Sequence, residues 1–233
     1  MKNTNRIWEI DFLRGIAFLC MVYDHVIFDL NYIFNIRTNL FWGYDYLIGD
    51  FSAVLFMILC GISTNLSHSS IKRGLTVCGS ALLISLVTYL IDVFTSAGLF
   101  IKFGILHLLG IAMILSHFVK KLPNIVIIAI SAVVYFIGKY FAQIKTLGNA
   151  LFFLGIHDNT FASADYYPLF PFLAFVFIGI VIGKLVYKQK QSIFPFTIPS
   201  NPISFIGKHS LILYLTHQPV VFALLFVLVK LFA

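Results

Sequence analysis

Long apolar runs interrupted by single polar residues set the pattern of this chain. A bilayer-crossing helix needs about 20 mostly apolar residues. Runs of that character read as spans at about residues 7–30, 46–66, 74–91, 103–119, 124–138, 167–187 and 204–232. The links between them are polar or aromatic, as at NYIFNIRTNLFWGYD, SHSSIKR and KQKQSIFPFTIPSNP. Residues 139–166 form the longest stretch without a clear span. Their apolar piece ALFFLGI is too short to cross, and reads as a surface or re-entrant segment. The pattern predicts an all-α polytopic membrane helix bundle of about seven transmembrane helices, one domain over 1–233. Gly179 and Gly183 fall at GxxxG spacing, which favours close helix packing and, as a second use, contact between copies in a homo-oligomer. Pro219 within the last run predicts a kink about one turn earlier.

The first run, EIDFLRGIAFLCMVYDHVIFDL, departs most from plain apolarity: it carries Glu9, Asp11, Arg14, Asp24, His25 and Asp29. Charge near the bilayer centre costs at least a few kcal/mol, so such residues are functional candidates by default. On a helix, Asp11, Arg14, Phe18, Met21, His25 and Asp29 step by three or four and share a face. Arg14 and His25, eleven residues apart, point the same way, separated by roughly 16 Å along the axis. Asp29 is the i+4 neighbour of His25 and is positioned to pair with it. A polar stripe of this kind must face protein or a water-filled cavity.

Composition agrees with a membrane chain. Of 233 residues 60% are hydrophobic and only 11% charged, against about 25% charged in soluble domains. The formal net charge of +7 reads as loop charge that sets topology, not as a nucleic-acid surface. With the N-terminus cytoplasmic, ten Lys/Arg fall on the inner side and five outside, with Arg14 within the membrane. This predicts a multi-pass protein of the plasma membrane with its C-terminus outside. The first run is expected to be retained, because three charges interrupt it and no small-x-small site follows. Cys20, Cys60 and Cys78 lie inside apolar runs with no ligand spacing, so neither a disulfide framework nor a metal site is expected.

The topology gathers chemistry at two depths. Asp24, His25 and Asp29, with Asp50, His107, Asp165, Tyr166, His217 and Gln218, belong toward the outer half. Arg14, Lys72, Arg73, Lys208 and His209 form a basic inner set suited to phosphates. An acyl-CoA has that polarity, an anionic nucleotide at one end and a thioester at the other. His25 is then the catalytic candidate, oriented by Asp29 or Asp24. The basic set would hold acetyl-CoA, and His107, Asp165, Tyr166, Asp50, His217 and Gln218 would hold the acceptor. Plainer roles compete: an interfacial ion cluster at Glu9, Asp11 and Arg14, helix capping by Asp165, and satisfaction of kink carbonyls by His217. A small proton-coupled transporter could use the same Asp and His residues as a relay, although no internal repeat of the transporter kind is visible.

The blocks EIDFLRGIAFLCMVYDHVIFDL, LFMILCGIS, RGLTVCGSALLISLVTYL, FGILHLLGIAMILS, DYYPLFPFLAFVFIGIVIGK and FIGKHSLILYLTHQP resemble, in order and over almost the whole chain, bacterial members of the heparan-α-glucosaminide N-acetyltransferase catalytic-domain family. Arg14 and His25 also match the Arg-x10-His pattern of the wider integral-membrane sugar acyltransferases. The resemblance implies transfer of an acetyl group from cytoplasmic acetyl-CoA to an extracytoplasmic sugar amine or hydroxyl, with His25 as general base or transient acyl carrier. The chain departs from the family in having no histidine between His25 and His68, where the resemblance would place the catalytic one. His25 therefore carries the role on the wider pattern.

Overall fold

A computed structural model describes residues 6–38, 44–67, 69–144, 148–196, 198 and 201–232. The expectations that touch Lys2, His68 and Lys145 lie outside these residues. The helices in order are α1 (Trp8–Phe28), α2 (Asp45–Leu66), α3 (Ser70–Thr95), α4 (Ile105–Val119), α5 (Asn124–Phe141), α6 (Leu169–Val186), α7 (Pro202–Lys208) and α8 (Ser210–Phe232). A π-helical turn, Asp29–Ile33, continues α1, and a 3-10 turn occupies Phe152–Leu154. No strand occurs among the described residues; a single parallel bridge links Phe103 and Tyr166. Six helices are long and apolar enough to cross a membrane, and α4 is a shorter apolar helix. The fold is an all-helical polytopic bundle.

The chain divides into two compact units: Met1–Phe56 with Lys190–Ala233, and Met57–Gln189. In the first, α1 is the hub. Ala17, Phe18 and Met21 are buried while Leu13, Leu19 and Phe28 are exposed, the pattern of a helix with one face on protein and one on lipid. The N-terminal part of α2 is fixed to it by Ser52, whose buried hydroxyl donates to the Ala17 carbonyl at 2.7 Å. The last predicted run, 204–232, is two helices. Asn201 caps the start of α7 by accepting from the Ser204 amide at 2.8 Å, and Pro202 opens the helix. Helical backbone lapses at His209, where ψ is 17°, and α8 begins at Ser210. Glycine permits the α7–α1 approach: a Cβ on Gly207 would lie 1.7 Å from the Asp11 carbonyl oxygen, and one on Gly15 2.0 Å from that of Ile203.

In the second unit, the C-terminal part of α2 packs on α6. A Cβ on Gly61 would fall 2.0 Å from the Val176 carbonyl, and one on Gly179 2.2 Å from that of Ile58. Asn65 adds a bond of 2.6 Å to the Ile180 carbonyl. The Gly179/Gly183 pair is thus used within the chain, against α2. Lys120, following α4, donates to the Thr64 and Ser67 carbonyls at 3.0 and 3.2 Å, satisfying groups that the end of α2 leaves without helical partners. Ahead of α4 the backbone is extended: Ala164 and Tyr167 amides donate to the Phe100 and Phe103 carbonyls at 3.2 and 3.0 Å. This pairing closes the backbone bonds of a non-helical segment inside the protein, as membrane depth demands.

Candidate active site

The polar stripe of α1 ends in two side chains fixed by backbone. His25 bonds through Nδ1 to the Met21 carbonyl, one turn back, at 2.8 Å. A carbonyl only accepts, so Nδ1 carries the hydrogen and neutral His25 keeps its lone pair on Nε2. His217 on α8 repeats the arrangement: its Nδ1 donates to the Tyr214 carbonyl at 2.7 Å. The two imidazoles meet edge to face, with ring centroids 4.9 Å apart and planes at 77°. Phe18 packs edge-on against His217 from the apolar side, at 5.9 Å. The Nε2 atom of His217 is buried and has no hydrogen-bond partner in the protein.

One turn beyond His25, Asp29 opens the π-helical turn and is fully buried. Gln218 Nε2 donates to both of its carboxylate oxygens at 3.0 Å. Asp29 therefore bonds across to α8 and not, as the i+4 spacing suggested, to His25. Gln218 Oε1, like His217 Nε2, is buried with no protein partner. Two consecutive residues of α8 thus turn toward α1, one to each of its candidate groups. π-Helical turns are often found at functional sites, and this one positions Asp29.

On the other flank, the Asp24 carboxylate sits where only glycine fits on α2: a Cβ on Gly49 would lie 2.6 Å from its Cγ. The Tyr23 hydroxyl donates to Asp45, and Asp50 is exposed on the same helix. His25, Asp24, Asp29, Asp50, His217 and Gln218 therefore all belong to the first unit.

The N-terminal end of α1 is an ion cluster. Asp11 accepts from Arg14 at 2.8 Å and pairs with Arg6 at 3.2 Å. Glu9 accepts from the Ile193 amide at 3.0 Å. Within this cluster Arg6 and Arg14 both pair with Asp11. Lys208 and His209 are exposed at the end of α7, directly after Gly207, which touches Asp11. Lys72 and Arg73 are exposed on α3, in the second unit.

Of the residues read as acceptor candidates, Asp165 and His107 bond at the start of α4, and Tyr166 bonds to the 3-10 turn. Asp165 accepts from the Ile105 amide at 3.0 Å, capping α4 and not the α6 helix it precedes. Gly104 makes room for it, since a Cβ there would lie 2.1 Å from its Oδ2. His107 accepts at Nδ1 from the Gly104 amide at 3.2 Å, and its Nε2 lies 3.3 Å from the Ser85 hydroxyl. Tyr166 donates to the Phe152 carbonyl at 2.6 Å, and burial pushes its phenol up to about 12. In the adjoining loop, hydrogen bonds from the Thr160 hydroxyl and amide hold the Asp158 carboxyl below its ordinary value.

Sequence reasoning named His217 and Gln218 but not their pairing with His25 and Asp29. A shared helical face links 25 with 29, whereas nothing local links either to a helix 189 residues further on. Among the described residues no group of three or more His, Cys, Asp or Glu is arranged to hold a metal ion.

Comparison with known proteins gives one family. The family model described as heparan-α-glucosaminide N-acetyltransferase, catalytic, matches residues 6–219. No curated protein and no solved structure matches the chain.

Proposed function

The chain belongs to the heparan-α-glucosaminide N-acetyltransferase catalytic family, a membrane acetyltransferase family, and from that premise we propose that it moves an acetyl group from cytoplasmic acetyl-CoA to an extracytoplasmic acceptor, a sugar amine or hydroxyl. The match runs through both compact units, which favours reading 1–233 as one acyltransferase domain in the plasma membrane.

The observation that carries the mechanism is the fixed tautomer of His25. Met21 holds the Nδ1 hydrogen, so Nε2 is the atom available to act at the thioester, as general base or as transient acyl carrier. Asp29 is locked to Gln218, so it positions α8 beside His25 in place of orienting the imidazole directly. Asp24, the adjacent carboxylate, supplies negative charge beside any imidazolium that forms. Arg14, with the exposed Lys208 and His209 at the end of α7, suits the phosphates of the donor. Lys72 and Arg73 are the corresponding candidates on α3. Asp50 faces solvent at the start of α2 and suits a cationic acceptor.

The test is acetyl transfer by the purified protein in lipid. Release of CoA thiol from acetyl-CoA should depend on an added sugar amine or hydroxyl. No thiol release with any acceptor of such a panel overturns the reading.

A further inference from the structure

Beyond His25, the site holds a second imidazole that an acyl-transfer reaction can use. We propose that His217 is the catalytic base that takes the acceptor's proton, which leaves His25 to carry the acyl group; the inference rests on the acyltransferase reading above.

Three observations support the division. First, both rings have Nδ1–H tied to their own helix backbone, so both lone pairs sit on Nε2. Second, the rings are in contact, with centroids 4.9 Å apart. Third, His217 Nε2 is buried without a protein partner. Leaving a buried acceptor unpaired costs about 1–3 kcal/mol. A purely structural histidine at this position would be expected to have that atom satisfied, whereas a base awaiting an N–H or O–H donor has it free. Phe18 and Tyr214 also pack on the ring, with centroids 5.9 and 5.4 Å away.

The chemistry balances in two steps. His25 Nε2 bonds to the thioester carbonyl carbon, the C–S bond breaks, and its electron pair leaves on sulfur as the CoA thiolate. The acceptor nitrogen or oxygen then bonds to the same carbon, and the C–N bond to His25 breaks, returning its pair to Nε2. The acceptor's proton moves to His217 Nε2 and passes through solvent to the thiolate. An acylated His25 has no lone pair left at Nε2, so the second step needs another base. His217 is the imidazole in contact with it. The charged and titratable groups nearest the pair are Asp24 on α1, Asp29 in the π-helical turn and Tyr214 on α8, with Asp45 bonded to Tyr23 and Asp50 on α2 beyond Asp24.

The experiment is acetyl-CoA consumption by the full-length protein with and without glucosamine, for wild type, His217→Gln and His25→Asn. Without acceptor, wild type and His217→Gln should each release about one thiol per protein and retain the acetyl label. With glucosamine, wild type should turn over, His217→Gln should be slower by a factor on the order of 10^2–10^4, and added imidazole should restore part of the loss. His25→Asn should show neither phase. Turnover of His217→Gln at the wild-type rate and with the wild-type pH profile overturns the inference. So does loss of its single thiol release, or wild-type turnover with no acetyl label on protein. His217→Asn repeats the measurement should the glutamine variant fail to fold. Wild type that releases no thiol with any acceptor overturns the acyltransferase reading itself, a different result from these.

Discussion

Residues near α4 show a structural use for polar side chains in a membrane protein. The sequence offers Asp165, ahead of a span, both as an acceptor contact and as a helix cap. In the structure its carboxylate is taken up at the first amide of α4, where an anion also complements the helix dipole. Asp165→Ala should lower thermal stability by about 1 kcal/mol, the usual cost of a lost cap. KM for the acceptor should be unchanged, and a thermal scan beside acceptor titration checks both. Tyr166 provides a pH expectation. Its phenol is neutral in the fold up to about 12, whereas in the unfolded chain it loses its proton from the ordinary value of 10.0 upward. The stability it contributes is complete below about pH 10 and falls as pH rises toward 12. Tyr166→Phe should flatten that part of the alkaline unfolding curve. The phenol and Asp165 were legible as residues with a special position. Their partners, Phe152 and Ile105, were not, because loop pairings carry no periodicity.

At the scale of elements, apolar run length located the helices well. Six of the seven runs correspond to helices able to span, because the bilayer imposes its thickness on sequence directly. The features that escaped are those that depend on a partner. The π-helical turn at Asp29–Ile33 needs only one extra residue per turn and leaves no mark in the apolar pattern. The break at His209 divides a run that is continuous in hydropathy. The GxxxG pair was visible, yet Gly61, its complement on α2, stands alone in sequence and was not. Gly179→Leu should therefore separate α2 from α6. It puts a side chain where a Cβ alone would lie 2.2 Å from the Ile58 carbonyl. A loss of roughly 1–3 kcal/mol is expected from the overpacking, read as a lower melting temperature in detergent. Unchanged stability would mean the contact is not a constraint.

For the whole molecule, the number of crossings decides where the ends lie. Helix α4 has 15 residues, about 22 Å of helix, short of the roughly 30 Å hydrocarbon core. The extended segment before it is paired with 164–167 through two backbone bonds. Should α4 also cross, seven crossings would put the termini on opposite faces, the arrangement that ten basic residues inside against five outside predict. Reporter tags at the two ends should accordingly be accessible from opposite sides of intact membranes. Tags on one side would mean that α4 enters and leaves by the same face. The family match over 6–219 and the α1–α8 site together make an account in which the polar stripe of one helix is completed by a helix at the other end of the chain.

That account stands most directly on the imidazole of His25. The measurement is transfer of labelled acetyl from acetyl-CoA to a sugar acceptor by purified wild type and by His25→Asn, with folding checked by melting temperature. Wild type should transfer label, and the folded variant should lose it by a factor on the order of 10^2 or more. Transfer at the wild-type rate in folded His25→Asn would contradict the account.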